Sequence, residues 1–333
     1  MNVRRRLIPA AAATALTALA LGTLSACSSD SSAAAGNTDK FDVVASFYPM
    51  AFLAEQIGGD HVNVTSLTQP GQEPHDLEIS AQQTAQLEET DAALYLKGLQ
   101  PTVDEAIGQS GVRTKIDAAT LTSLDHDAGA GGHEDEHGHD DEHGHDDEHG
   151  HDDGHNHSHD GQDPHVWLDP VKYAEVAEGV GKAFEKADPD HATDYKKNTE
   201  ALVGRLNDLD AEFKTGLEHR KTDVFITTHA AFGHLAARYG LTEEAINGLT
   251  PESEPSAARV KQLTETAKAD GVTTVFYETL VSDRTAKTVA REAGLRTDVL
   301  DPLEGITDKS RGDDYFQVME SNLRALQTAL GAE

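Results

Sequence analysis

FDVVASFYPMAFLAEQIGGDHVNVTSL, residues 41–67, holds the pattern that decides the fold. FDVVASF (41–47) is a short apolar run and predicts a strand. Pro49 to Ile57 predicts a helix, stopped by Gly58 and Gly59. HVNVTSL (61–67) alternates with period two and predicts a second strand. Strand, helix and strand at this spacing make a βαβ unit with parallel strands.

The alternation continues outward. QPGQEPHD (69–76) reads as a loop, Ile79–Glu89 as a helix and AALYLK (92–97) as a third strand. Far downstream, DPHVWLDP (163–170) is a rigid, proline-bounded loop, followed by a helix over Val171–Ala187. Residues 191–219 form one long helical run. Leu202, Leu206, Leu209, Phe213 and Leu217 fall on a single stripe. At ~1.5 Å per residue that run spans ~45 Å, enough to cross from one lobe to another.

The second half repeats the pattern. DVFITTH (223–229) predicts a strand, Ala230–Tyr239 a helix with Gly240 as its cap, and Ser256–Ala269 a further helix. TTVFYET (273–279) and RTDVLD (296–301) predict strands on either side of a helix at Asp283–Ala293. Asp313–Leu330 closes the chain. The expected fold class is α/β: two lobes with central parallel sheets flanked by helices, joined by one long helix, with a metal site in the interlobe cleft. The expected divisions are 41–170, 171–221 and 222–333.

Composition limits the ligand class. The chain has 59 acidic and 27 basic residues, a formal charge of −32. Such a surface repels nucleic acid and anionic lipid, so no nucleic-acid partner is expected. It attracts cations. Cys27 is the one cysteine, which excludes an internal disulfide and any multi-cysteine zinc site. A metal must be held by His, Asp or Glu.

The N-terminus reads as an address. Arg4, Arg5 and Arg6 precede an uncharged apolar or small stretch from Leu7 to Thr23, then Leu24-Ser25-Ala26-Cys27. This resembles a bacterial lipoprotein signal, residues 1–26, and implies cleavage before Cys27 and lipid attachment there. Removing that segment takes away three arginines and no acid, so the formal charge goes from −32 to −35. Residues 27–40 read as a flexible tether.

Residues 125–163 form a low-complexity tract containing DEHGHD three times in succession (135–152). It has no apolar face to bury, so disorder without metal is expected. His126, His133, His137, His139, His143, His145, His149, His151, His155, His157 and His159 are spaced along it. Neutral imidazoles among carboxylates suit zinc, copper and nickel. The tract is expected to gather metal loosely, as an accessory to a better-formed site.

In open parallel sheets, ligands bind beyond the carboxyl ends of the strands. Four candidate metal ligands lie at such ends or in matching loops: His75, His165, His229 and Asp301. Three imidazoles and a carboxylate complete a zinc site without cysteine. Glu278 is the rival carboxylate, since it too ends a strand. His234 follows His229 by five residues on a helix and should point elsewhere. His61, His191 and His219 read as surface residues.

Several of these segments, in this order, resemble the metal-binding solute receptors of zinc/manganese ABC transporters. The resemblance rests on FYPMAFLAEQIGGD (47–60), PGQEPHDLEIS (70–80), DPHVWLDP (163–170), THAAFGHLAARYGL (228–241) and DPL (301–303). It covers nearly all of residues 40–333. It implies that His75, His165, His229 and Asp301 are the ligands and that the acidic His-rich insertion marks a zinc member. Manganese members usually carry Glu where this chain has His229, so the third imidazole favours Zn²⁺ over Mn²⁺.

The resulting expectation is an extracytoplasmic zinc receptor, monomeric, anchored to the bacterial membrane by lipid on Cys27. It delivers its ion to the membrane permease subunits of an ABC importer. A manganese receptor, an adhesin of the same fold and a metal buffer are the alternatives. No enzyme is expected: no HExxH signature is present, and four ligands leave no coordination position for water.

Overall fold

The computed structural model describes residues 40–124, 162–251 and 255–332, all within one compact unit, Ala35–Glu333. Cys27 and most of the His-rich tract lie outside the described residues.

The first lobe contains β1 (Phe41–Ala45), α1 (Tyr48–Gly58), β2 (Val62–Ser66), α2 (Ala81–Glu89), β3 (Ala92–Tyr95), α3 (Pro101–Gln109) and β4 (Thr114–Asp117). Two long helices follow, α4 (Pro170–Ala187) and α5 (Ala192–Gly216). The second lobe contains β5 (Val224–Thr227), α6 (Gly233–Tyr239), β6 (Thr242–Ala245), α7 (Ala257–Ala269), β7 (Thr274–Tyr277), α8 (Arg284–Ala293), β8 (Arg296–Val299) and α9 (Tyr315–Leu330). Both sheets are parallel and four-stranded, in the orders β2-β1-β3-β4 and β6-β5-β7-β8. The same winding is thus used twice, as the repeated sequence pattern implied.

α3, β4 and β6 are additional to the elements expected from the sequence pattern. β4 and β6 are edge strands, and TEEA (242–245) carries two acids with no side of its ladder in a dry core. Helix starts follow their caps. α2 begins at Ala81 because Ser80 accepts from Gln83 N in a capping box. α6 begins at Gly233 rather than Ala230. The carboxylate of Glu243 accepts from Phe232 N at 3.1 Å and holds residues 230–232 out of the helix.

The largest apolar cluster runs through both lobes. It joins Phe47, Leu53 and Ile57 of the first lobe to Tyr173 and Phe184 of α4, to Leu206 and Phe213 of α5, and to Tyr315 and Leu326 of α9. The α5 stripe from Leu202 to Leu217 is buried in it. Two smaller clusters cover the outer sheet faces, one around Leu87, Val103 and Ile107 and one around Leu263, Val275 and Val289. α4 and α5 pack closely at Gly181, where an added Cβ would sit 2.3 Å from Thr199 Oγ1.

Polar contacts tie the lobes beside this core. Trp167 Nε1 donates to the Pro302 carbonyl at 2.7 Å, and Tyr315 Oη donates to the Trp167 carbonyl at 2.7 Å. Arg238 of α6 grips Asp169, the N-cap of α4, through Nε at 2.8 and 3.1 Å.

Candidate metal centre

Both sheets turn the carboxyl ends of their strands toward one site, and loops from both deliver side chains to it. His75 sits in the loop after β2. His165 precedes a 3-10 turn, Val166–Leu168, that leads into α4. His229 lies two residues past β5, and Glu304 lies in the loop after β8. One ligand atom from each of these four residues lies within 4.8 Å of the others. Glu304 Oε1 is the hub: His75 Nε2 is 3.2 Å away, His165 Nε2 3.4 Å and His229 Nε2 3.4 Å.

The group is sealed. His165 and Glu304 have no exposed surface, and His229 has 1%. The His75 side chain, at 9%, is the one that touches solvent. Inside this seal, His165 Nε2, His229 Nε2 and Glu304 Oε2 have no hydrogen-bond partner. Buried polar atoms without partners cost on the order of 1–3 kcal/mol each. The two nitrogens both face Glu304 Oε1, at 3.4 Å each, and a cation among them would satisfy both at once.

A second layer of carboxylates orients the rings. Asp163 Oδ1 accepts from His165 Nδ1 at 2.7 Å and from His165 N at 3.0 Å. Glu278 Oε1 accepts from His229 Nδ1 at 2.7 Å and from Thr228 Oγ1 at 2.6 Å. A carboxylate accepts only, so each of these Nδ1 atoms carries the proton and each Nε2 points its lone pair inward when the ring is neutral.

The electrostatics follow. Burial works against a charged His165, but the Asp163 charge and hydrogen bond and the Glu304 carboxylate outweigh it and hold its pKa up at about 9. Burial likewise opposes charge on His229, and the adjacent Glu278 reverses that, raising its pKa well above the usual imidazole value. Burial would raise Glu304, but its three histidine neighbours pull it well below the ordinary carboxylate range. Glu73, beside the site, is pushed up to about 8 by burial and by the Glu304 charge. The shifts share one cause: a buried carboxylate cluster that favours positive charge on the imidazoles it surrounds.

The structure brings together His75, His165 and His229 as expected from the sequence, but the carboxylate in the group is Glu304. Asp301 is committed to the turn. Its Oδ1 accepts from Leu303 N at 2.9 Å and its Oδ2 from Thr279 Oγ1 at 3.1 Å. Leu303 has φ 58, a left-handed conformation that branched residues rarely take. That turn swings Glu304 into the site. The signal in the sequence was an acid three residues past Asp301, in DPLEG, but nothing in its spacing shows which way the chain turns. Glu278 serves His229 through Nδ1. His234 is buried outside the group of four, with Nε2 3.0 Å from the Asp163 carbonyl. Cys27 and the histidines at 126–159 lie outside the described residues.

Comparisons with known proteins place the chain in a family. The profile of the family described as zinc-uptake complex component A, periplasmic, matches residues 43–329. The zinc-binding lipoprotein AdcA of Streptococcus pneumoniae strain R6 is 36% identical over 308 residues, covering 88% of this chain and 56% of its own. This chain therefore spans little more than half the length of that relative. The high-affinity zinc uptake system protein ZnuA of Bacillus subtilis is 35% identical over 309 residues, covering 91% of this chain and 92% of its own. The crystal structure of the Zn(II)-bound ZnuA-like domain of S. pneumoniae AdcA superposes with a TM-score of 0.66 at 33% identity, covering 87% of this chain and 99% of that one.

Proposed function

Because the chain belongs to the family of the periplasmic zinc-uptake complex component A, we propose that it is an extracytoplasmic receptor that captures Zn²⁺ as cargo for an ABC importer. The observation that carries this is the sealed group of three imidazoles and one carboxylate with its inward, unpartnered nitrogens. Four such donors match the tetrahedral shell of zinc and leave no open position for a reacting water, so the reading assigns no catalytic residue. Three nitrogen donors suit zinc better than manganese, which prefers oxygen.

In this reading His75, His165, His229 and Glu304 hold the ion, and Asp163 and Glu278 aim two of the rings. The tract from His133 to His159 collects zinc near the membrane. Lipid on Cys27 tethers a monomer there, and the membrane permease subunits of the importer receive the ion. The divisions at 41–170, 171–221 and 222–333 belong to the same proposal. His75, as the partly exposed ligand on a loop, is the point of exchange with solvent.

Calorimetric titration of the mature protein with Zn²⁺ and Mn²⁺ tests this, beside a variant lacking 126–159 and the double variant His75→Ala, His229→Ala. The expected result is one tight zinc site that survives the deletion, vanishes in the double variant and ignores manganese. Tight binding that disappears with the tract and persists in the double variant would make the protein a His-rich metal buffer.

A further inference from the structure

Glu243 lies on β6, an edge strand of the second sheet, in parallel register with Phe225 of β5. Thr227 is two residues further along β5, so it shares a face of the sheet with Phe225 and Glu243. The Glu243 carboxyl group reaches both ends of the segment 227–232, which carries His229. Its Oε1 lies 2.7 Å from Thr227 Oγ1, and its Oε2 accepts from Phe232 N at 3.1 Å. Thr227 Oγ1 has a second oxygen partner, the His229 carbonyl, at 2.9 Å. That carbonyl also accepts from Ala231 N at 3.0 Å. The backbone of His229 is thus held by groups on either side of it in the chain.

The protons on this chain of oxygens can be counted. A hydroxyl has one proton to give, and a backbone carbonyl only accepts. Two oxygens 2.7 Å apart with no proton between them repel. When Thr227 donates to the His229 carbonyl, the proton it shares with Glu243 therefore comes from Glu243. A protonated carboxyl supplies this pattern, with an O–H for Thr227 and a carbonyl oxygen for Phe232 N. The surroundings favour that form. Burial pushes the Glu243 pKa up to about 7 against the Thr227 and Phe232 hydrogen bonds, with the Asp163 charge adding to the rise and His229 opposing it.

On the reading of His229 as a zinc ligand, we propose that Glu243 is a positioning residue for it. As a neutral acid Glu243 donates to Thr227, Thr227 donates to the His229 carbonyl, and this chain fixes the backbone from which the ligand ring projects. Glu278 aims the ring itself through Nδ1; Glu243 acts one step further back, on the main chain.

Chelator competition at one equivalent of Zn²⁺, on the full mature chain, tests this with Glu243→Gln, Glu243→Leu, Thr227→Val and Arg259→Ala. A glutamine amide has the donor and the acceptor of the protonated acid, so Glu243→Gln should keep the zinc affinity. Glu243→Leu and Thr227→Val should each lose ~10–100-fold, the range for a group that acts through a ligand. Arg259→Ala removes the bonds to Glu244 and to the Ala245 carbonyl. It loosens β6 without touching the chain of oxygens, and its affinity should not change. Below the Glu243 pKa of about 7, the infrared carbonyl band of a protonated carboxyl should be present in the unaltered protein and weaker in Glu243→Gln, a readout that needs no metal. Equal losses for Glu243→Gln and Glu243→Leu, unchanged affinity in Glu243→Leu, or no infrared difference overturns the proposal. Failure of the cleft reading shows elsewhere, as tight binding that persists in the His75→Ala, His229→Ala double variant.

Discussion

Trp167 Nε1 donates to the Pro302 carbonyl at 2.7 Å, so the indole beside His165 is fastened to the loop that carries Glu304. The two residues are separated by 135 positions in the chain, and the bond is fully buried. It ties the loop that carries His165 to the loop that carries Glu304.

Glu304→Ala should weaken zinc binding by more than about 100-fold, beyond the ~10–100-fold usual for an outer-shell partner. Asp301→Asn should stay within that outer-shell range, because it loosens the turn without removing a donor. Competition against a zinc chelator measures both. A larger loss for Asp301→Asn would move the carboxylate ligand back to Asp301.

Zinc must displace the protons that the raised pKa values of His165 and His229 hold at neutral pH. Binding at pH 7 should therefore release about two protons per ion. Calorimetry in buffers of different ionisation enthalpy reads this number directly. Release near zero would mean the rings are already neutral without metal.

The same protons stabilise the metal-free fold over a defined window. A raised imidazole pKa contributes stability that is full below the unfolded value of ~6.5 and is lost as pH rises through the folded value. For His165 that folded value is about 9. The depressed Glu304 contributes stability above its unfolded value of ~4.5, lost as pH falls through its lowered pKa. The Tm of the metal-free protein should thus decline from about pH 6.5 to 9. Zinc affinity should rise over the same interval.

Asp163→Asn should cost ~10–100-fold in zinc affinity, since Asp163 aims His165 Nε2 through the Nδ1 hydrogen bond. It should also lower the His165 pKa and so reduce proton release on binding. An affinity loss with unchanged proton release would point to general unfolding of the loop instead.

Arg238→Ala leaves Asp169 buried at 1% exposure without its cation. Stability should fall by about 3 kcal/mol, the scale of breaking one buried pair. Denaturant melts of the metal-free protein measure it. A change below ~1 kcal/mol would mean that the α4 cap alone holds Asp169.

The two-lobed parallel architecture is legible in the amino-acid pattern, because period-two strands and apolar helix stripes such as Leu202 to Leu217 are local. The same pattern singled out His75, His165 and His229, whose residue type and place at strand ends are readable without coordinates. The edge strands β4 and β6 were not legible, since their short polar sequences depend on a neighbour's ladder rather than on their own burial. Which carboxylate lies beside the three imidazoles depends on tertiary contacts. Asp301 and Glu304 are three residues apart, and which one reaches the imidazoles depends on the left-handed turn at Leu303. That conformation is held by the Asp301 hydrogen bond to Leu303 N and by the tie from Trp167 to Pro302, contacts made from distant parts of the chain. A backbone reversal fixed by such long-range contacts leaves no periodic trace in the sequence that encodes it.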